Sequence, residues 1–194
     1  MILNSLSVVT SQGLKTLERL GICHRSLSLV NMLLRGTTCH ISDLRSSLRI
    51  QPGVALLHPR CAYGVGHPRY LAPEIVKGEA FDPYAIDLWA AAIMLCGMLF
   101  GTEAPFVWAS PEDRRFKEIC LKGNLSSALS KWEVENPQKR AKAEPISDEA
   151  LDLIQNMLWA DPKDRLSLEA VLEHPWVVSQ ADAPKMATYA QKMG

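Results

Sequence analysis

The sequence predicts a mainly α domain in which one short β-hairpin and one long loop precede a run of helices. Three observations predict it. Apolar residues recur at helical spacing near both ends of the chain. Two short apolar runs flank a glycine turn at Arg35-Gly36-Thr37-Thr38. Between Leu44 and Tyr70 no periodicity persists, and Pro52, Gly53, Pro59, Gly64, Gly66 and Pro68 punctuate the stretch. A loop of that length inside a compact domain is usually functional or disordered.

Each element has a local cause. Residues 2–20 place Leu3, Leu6, Leu14, Leu17 and Leu20 at helical intervals, and Gly21 follows where a left-handed residue ends a helix. Ile22 and Cys23 read as a short strand, and the hairpin runs from Val30 to Leu34 and from Cys39 to Ser42. Asp82-Pro83 supplies a cap and a proline at the first helical position, opening an apolar helix that Gly101 ends. Ser110-Pro111-Glu112-Asp113 repeats the device, with acids at the positive helix end. Ser147 caps a helix whose apolar face is Ala150, Leu151, Ile154, Met157 and Leu158, with Ile146 stapled to Leu151. Ser167 caps the last helix, with Leu166 and Val171 as its staple.

Composition excludes several classes. The 194 residues carry 21 Lys+Arg and 21 Asp+Glu, so formal net charge is zero and the basic excess of a nucleic-acid binder is missing. Lys139, Arg140 and Lys142, interrupted by alanines, read as a solvated loop. The 5 cysteines form no C-x-x-C pair, which fits reduced thiols in an intracellular, most simply cytoplasmic, soluble protein. Residues 1–10 lack the basic start and unbroken apolar stretch of a signal peptide. The longest apolar run, Leu88 to Phe100, falls short of the roughly 20 residues a bilayer span needs, so a helix buried in protein and no membrane partner are expected.

Six motifs then appear in one order. His24-Arg25-Ser26-Leu27-Ser28-Leu29-Val30-Asn31 resembles the H-R-D-L-x-x-x-N catalytic loop of protein kinases, with serine in place of aspartate. Ser42-Asp43-Leu44-Arg45 resembles the D-F-G element, and Gly66 to Glu74 resembles the end of an activation segment, closing on Ala72-Pro73-Glu74. Asp87-Leu88-Trp89 matches the D-x-W start of the family's buried helix, Arg165 stands at its late arginine, and His174-Pro175-Trp176 matches the end of the domain. Singly each is weak; together, at the family's spacings, they are specific. The chain is identified as similar to the C-terminal lobe of a serine/threonine protein kinase over residues 1–177, with 178–194 as a tail.

The resemblance implies a division of roles. Phosphoryl transfer needs metals held against phosphates and a nucleophile positioned in line. Asn31 and Asp43 match the two magnesium ligands, oxygen donors suited to a hard cation. Leu33 would lie under the adenine of ATP. His24 would pack below the catalytic loop, Asp87 would hold that loop's backbone, and Glu74 would pair with Arg165. Arg25 would receive a phosphate on the activation segment or remain a surface cation. ATP and Mg2+ are thus the cofactors the family implies.

The departures point the other way. Ser26 stands where a carboxylate accepts the substrate proton, and general-base catalysis is typically worth about 10² to 10⁴ in rate. Arg45 replaces a glycine, Leu44 a phenylalanine, His67 a threonine and Ala92 the glycine of D-x-W-x-x-G. No glycine-rich phosphate loop precedes the catalytic loop, nor the strand lysine and helix glutamate that pair in active members. The expectation is a protein-kinase-like domain, inactive in this form, doubtful as a binder of ATP, and acting as a pseudokinase that binds a protein partner or a missing N-terminal lobe. The alternative is a fragment or partial gene model of a longer, ATP-binding serine/threonine kinase.

Overall fold

The computed structural model describes residues 2–35, 38–101, 104–135 and 146–179. Helix α1 (Ile2–Arg19) is ended by Gly21, whose φ of 68° lies in the left-handed region. Strand β1 (Ile22–Cys23) follows, then a one-turn helix (Leu29–Asn31) and the antiparallel pair β2 (Met32–Arg35) and β3 (Thr38–Ile41). Their register sets Met32 opposite Ile41 and Leu33 opposite His40. The hairpin therefore starts at Met32, because Val30 and Asn31 belong to the preceding turn. The predicted glycine turn at residues 36–37 lies outside the described residues, as do the basic loop at 139–142 and nearly all of the tail.

The long loop is less irregular than its sequence. Leu48–Arg49 forms β4, pairing antiparallel with β1 so that Ile22 faces Arg49 and Cys23 faces Leu48. A two-residue strand carries no periodicity, and only its distant partner reveals it. Leu57 bridges to Phe81, and 3₁₀ turns at Pro59–Ala62 and Pro68–Tyr70 are each opened by a histidine whose Nδ1 accepts a backbone N–H.

The helical part begins with α2 (Pro73–Lys77), ended by Gly78, and α3 (Pro83–Phe100). Asp82 caps α3 by accepting from the N–H groups of Tyr84 and Ala85. The helix exceeds the predicted apolar run, because its first turn is set by the cap. Its 18 residues are long and apolar enough by composition to cross a membrane, yet 72% of that window is buried inside this fold. Trp89, Ala92, Ile93 and Cys96 are fully inaccessible, which makes α3 the axis of the core. Phe106 and Phe116 pack edge-to-face at 5.4 Å and both tilt against Trp89.

Two of the later helices differ in detail from what the sequence predicts. Helix α4 (Arg114–Phe116) starts after the predicted Ser110 cap, since the Asp113 carboxylate accepts from the N–H groups of Arg115 and Phe116. It runs on as a π-turn through Leu121 before α5 (Leu125–Glu135). Ser147 does cap α6 (Asp148–Met157), but the buried face is Ala150, Leu153, Ile154 and Met157, with Leu151 only half-buried. Packing on two sides, against α3 and α5, widens the stripe beyond a single row. The Gln155 side chain adds a tie, accepting from Leu125 N–H and donating to the Ile119 carbonyl at 3.0 Å each. Ser167 caps α7 (Leu168–Glu173), and α1 packs between β3, α3 and α7. All 5 cysteines are free thiols.

Candidate functional site

Asp87, on the first turns of α3, organises the loop that follows β1. Its Oδ2 accepts from His24 N–H at 2.6 Å and its Oδ1 from Arg25 N–H at 2.8 Å, across more than 60 residues of chain. Burial pushes the Asp87 carboxyl up in pKa, opposed by those two N–H donors. The neighbouring Cys23 thiol is pushed up by burial and then by Asp87, and it donates to the Pro83 carbonyl. Arg25 itself adopts a φ of 63°, a conformation that non-glycine residues rarely take.

His24 is fully buried and links the loop to the hairpin. Its Nδ1 accepts from Ser26 N–H at 3.3 Å, which leaves the proton on Nε2, and Nε2 donates to the Ser42 carbonyl at 2.9 Å. Ser42 is tied in turn to Asn31, because both its N–H and its Oγ donate to the Asn31 carbonyl at 2.9 Å. The Asn31 amide donates to the Ser26 carbonyl at 2.8 Å. Ser26, Asn31 and Asp43 are thereby gathered at the base of one hairpin, although the chain separates them by up to 17 residues. Leu33 sits on the same hairpin, 57% exposed.

Two arginines close the arrangement in ways the motifs did not announce. Arg45 forms a two-pronged pair with Asp43, Nε to Oδ1 at 2.7 Å and Nη2 to Oδ2 at 2.9 Å. These hydrogen bonds hold the Asp43 carboxyl down at about 2. Arg25 sends Nε to the Ser46 carbonyl at 2.7 Å and Nη1 to the Cys61 carbonyl. The Arg25 guanidinium is therefore no free surface cation: it staples the two arms of the long loop together through their backbone. Gly66, at a φ of 88°, passes so close that a Cβ there would meet the Arg25 carbonyl at 3.0 Å. The acid-x-base spacing of Asp43 and Arg45 was the one readable signal for the first contact; nothing local foretold the second.

At the far end of the loop, Glu74 and Arg165 meet in a buried fork. Arg165 Nη1 reaches Glu74 Oε1 at 2.8 Å and Nη2 reaches Oε2 at 2.7 Å. The guanidinium also lies 4.6 Å above the centre of the Trp89 ring and donates to the carbonyls of Trp159 and Ala160. This anchors the end of the loop to the helical base, the arrangement that the resemblance to protein kinases implies.

The profile of the protein kinase domain matches residues 3–177. The chain belongs to the protein kinase domain family. It is similar to calcium-dependent protein kinase 28 of Oryza sativa subsp. japonica, 34% identical over 169 residues that cover 85% of this chain and 28% of that protein. It is also similar to calcium-dependent protein kinase 25 of Arabidopsis thaliana, 33% identical over 174 residues, or 88% of this chain and 29% of that protein. A third relative is calcium-dependent protein kinase SK5 of Glycine max, 34% identical over 169 residues, 85% of this chain and 29% of that protein. The chain thus spans less than a third of the length of these relatives.

Magnesium is the metal this kinase family implies, and the donor set can be tested against it. Among the described residues no group of three or more His, Cys, Asp or Glu could hold a metal ion. Asn31 and Asp43 remain as oxygen donors, but both Asp43 oxygens already accept from Arg45. Magnesium takes six oxygens, most of them from water and phosphate and only one or two from protein side chains, so it is the Arg45 guanidinium on Asp43, and not the number of donors, that decides the fit. The residues as arranged do not fit magnesium.

Proposed function

We propose that this kinase-family chain does not transfer phosphate and works instead as a protein-binding module. The observation that carries the reading is Ser26. The frame that would aim a catalytic base is complete, with Asp87 and His24 fixing the loop and Asn31 closing it, yet the residue so held is a serine. A serine hydroxyl is a poor proton acceptor at neutral pH, and a positioned base is worth about 10² to 10⁴ in rate. The exposed hairpin supports the binding half of the reading. Leu33 and Leu34, with Val30 in the turn before them, are solvent-facing, and among the described residues each sheet has two strands, which leaves backbone edges for a partner.

The test is direct. The purified chain is incubated with ATP, magnesium or manganese and generic protein substrates, beside a Ser26→Ala, Asp43→Ala control. No phosphate incorporation above that control is expected, and turnover above it would overturn the proposal.

A second reading, that the chain is part of a longer ATP-dependent serine/threonine kinase, is favoured by the short span it covers in its relatives. Upstream coding sequence continuous with Met1, encoding a G-x-G-x-x-G loop and a strand lysine, would support it.

A further inference from the structure

The turn at residues 43–47 is built to present one guanidinium to one carboxylate. Asp43 has φ and ψ of 63° and 65°, a left-handed residue at the start of the 3₁₀ turn Leu44–Ser46. That reversal brings the side chains at 43 and 45 together, which neighbours two apart in a regular helix would not achieve. The turn is secured from both ends: Ser47 donates to the Leu44 carbonyl through N–H at 3.0 Å and Oγ at 2.7 Å, and Arg25 holds the Ser46 carbonyl. With the backbone fixed, closing the fork costs only the rotamer freedom of the Arg45 side chain itself. Two parallel N–H···O contacts follow, the strongest and most directional form of carboxylate recognition. The planar fork engages one lone pair on each oxygen and sets a positive charge against both, so a metal ion would have to displace Arg45 or bind against its charge.

We propose that Arg45 is the resident counter-cation of Asp43, standing where the kinase family places a divalent metal and making this turn metal-independent. The proposal rests on the alignment of Ser42-Asp43-Leu44-Arg45 with the metal-binding element, and not on Ser26. Arg45 is 88% exposed in its side chain, so replacing it leaves the packed core untouched. That makes the turn testable without unfolding the protein.

The experiment titrates Mn2+ alone into the 194-residue chain and reads water-proton relaxation enhancement. Four proteins are compared: wild type, Arg45→Gly, Arg45→Gln, and Arg45→Gly combined with Asp43→Asn. The glutamine variant removes the charge without adding glycine's backbone freedom. Two competing cations on one carboxylate are coupled negatively, and a coupling of roughly tenfold is expected. Both single variants should therefore bind Mn2+ roughly tenfold more tightly than wild type, and the double variant should return to the wild-type level. Equal affinity in wild type and both single variants would overturn the proposal, as would a gain that survives Asp43→Asn. Phosphate transfer is not read in this titration. A wild type that binds Mn2+ through Asp43 but incorporates no phosphate would sink the counter-cation and leave the proposed function standing.

Discussion

Arg165 and Glu74, 91 residues apart, form a two-pronged ion pair with both side chains no more than 4% exposed. Removing one partner strands the other as an uncompensated buried charge, which costs roughly 3–5 kcal/mol. Arg165→Ala and Glu74→Ala should each destabilise the chain by about that amount, with the double variant costing far less than their sum. Denaturant titration of the four proteins in the cycle checks it; strict additivity would mean that the two side chains do not interact. Salt should matter little, because ions do not reach a pair this enclosed.

Asp87 makes a different kind of contact, from one side chain to two backbone donors. Asp87→Ala orphans the His24 and Arg25 N–H groups, and a buried donor left without a partner costs about 1–3 kcal/mol. The expected result is a destabilised chain whose fastest new amide exchange is at residues 24 and 25. Asp87→Asn keeps an acceptor oxygen for only one of the two donors and should fall between. Unchanged exchange at both amides in the alanine variant would contradict the bonding described above.

Glu18 faces Asp82 and Glu169 around a cavity of about 220 Å³ between α1, α3 and α7. Desolvation, then the carboxylates of Glu169 and Asp82, raise its pKa above the ordinary value. A carboxyl raised by folding binds its proton more tightly in the folded chain. Its contribution is therefore fully present below the unfolded pKa and is lost as pH rises through the folded one. Glu18→Gln should accordingly raise the melting temperature near pH 7 and leave it unchanged near pH 4. A lower melting temperature at pH 7 would show that Glu18 makes a favourable contact that outweighs the repulsion.

The hairpin surface predicts association. Val30 is 83% exposed, Leu33 57% and Leu34 52%. Burying a leucine side chain fully is worth about 1.5–3 kcal/mol, so a few of them suffice to drive weak self-assembly. Sedimentation at tens of micromolar should reveal species above monomer and binding of a hydrophobic dye. Leu33→Asn with Leu34→Ser should reduce both. A clean monomer without dye binding would count against this surface as a docking site.

Much of this protein was legible in its sequence, for local reasons. Gly21, Asp82, Ser147 and Ser167 end or open their helices through contacts with residues one to four positions away, so spacing alone announces them. The motifs, taken in order, carried the resemblance to protein kinases, and that resemblance implied the Glu74–Arg165 pair. What tertiary structure decided is whatever depends on a distant partner. Strand β4 exists because Ile22 and Cys23 offer it an edge, and Leu153 is buried because α6 is covered on two sides. Arg25 was readable as a phosphate receptor or a free cation, and its contacts with the Ser46 and Cys61 carbonyls, which tie the arms of the long loop together, came only with the fold. A charged side chain's role is set by the acceptors within about 3 Å, and those belong to the fold rather than to the neighbouring letters.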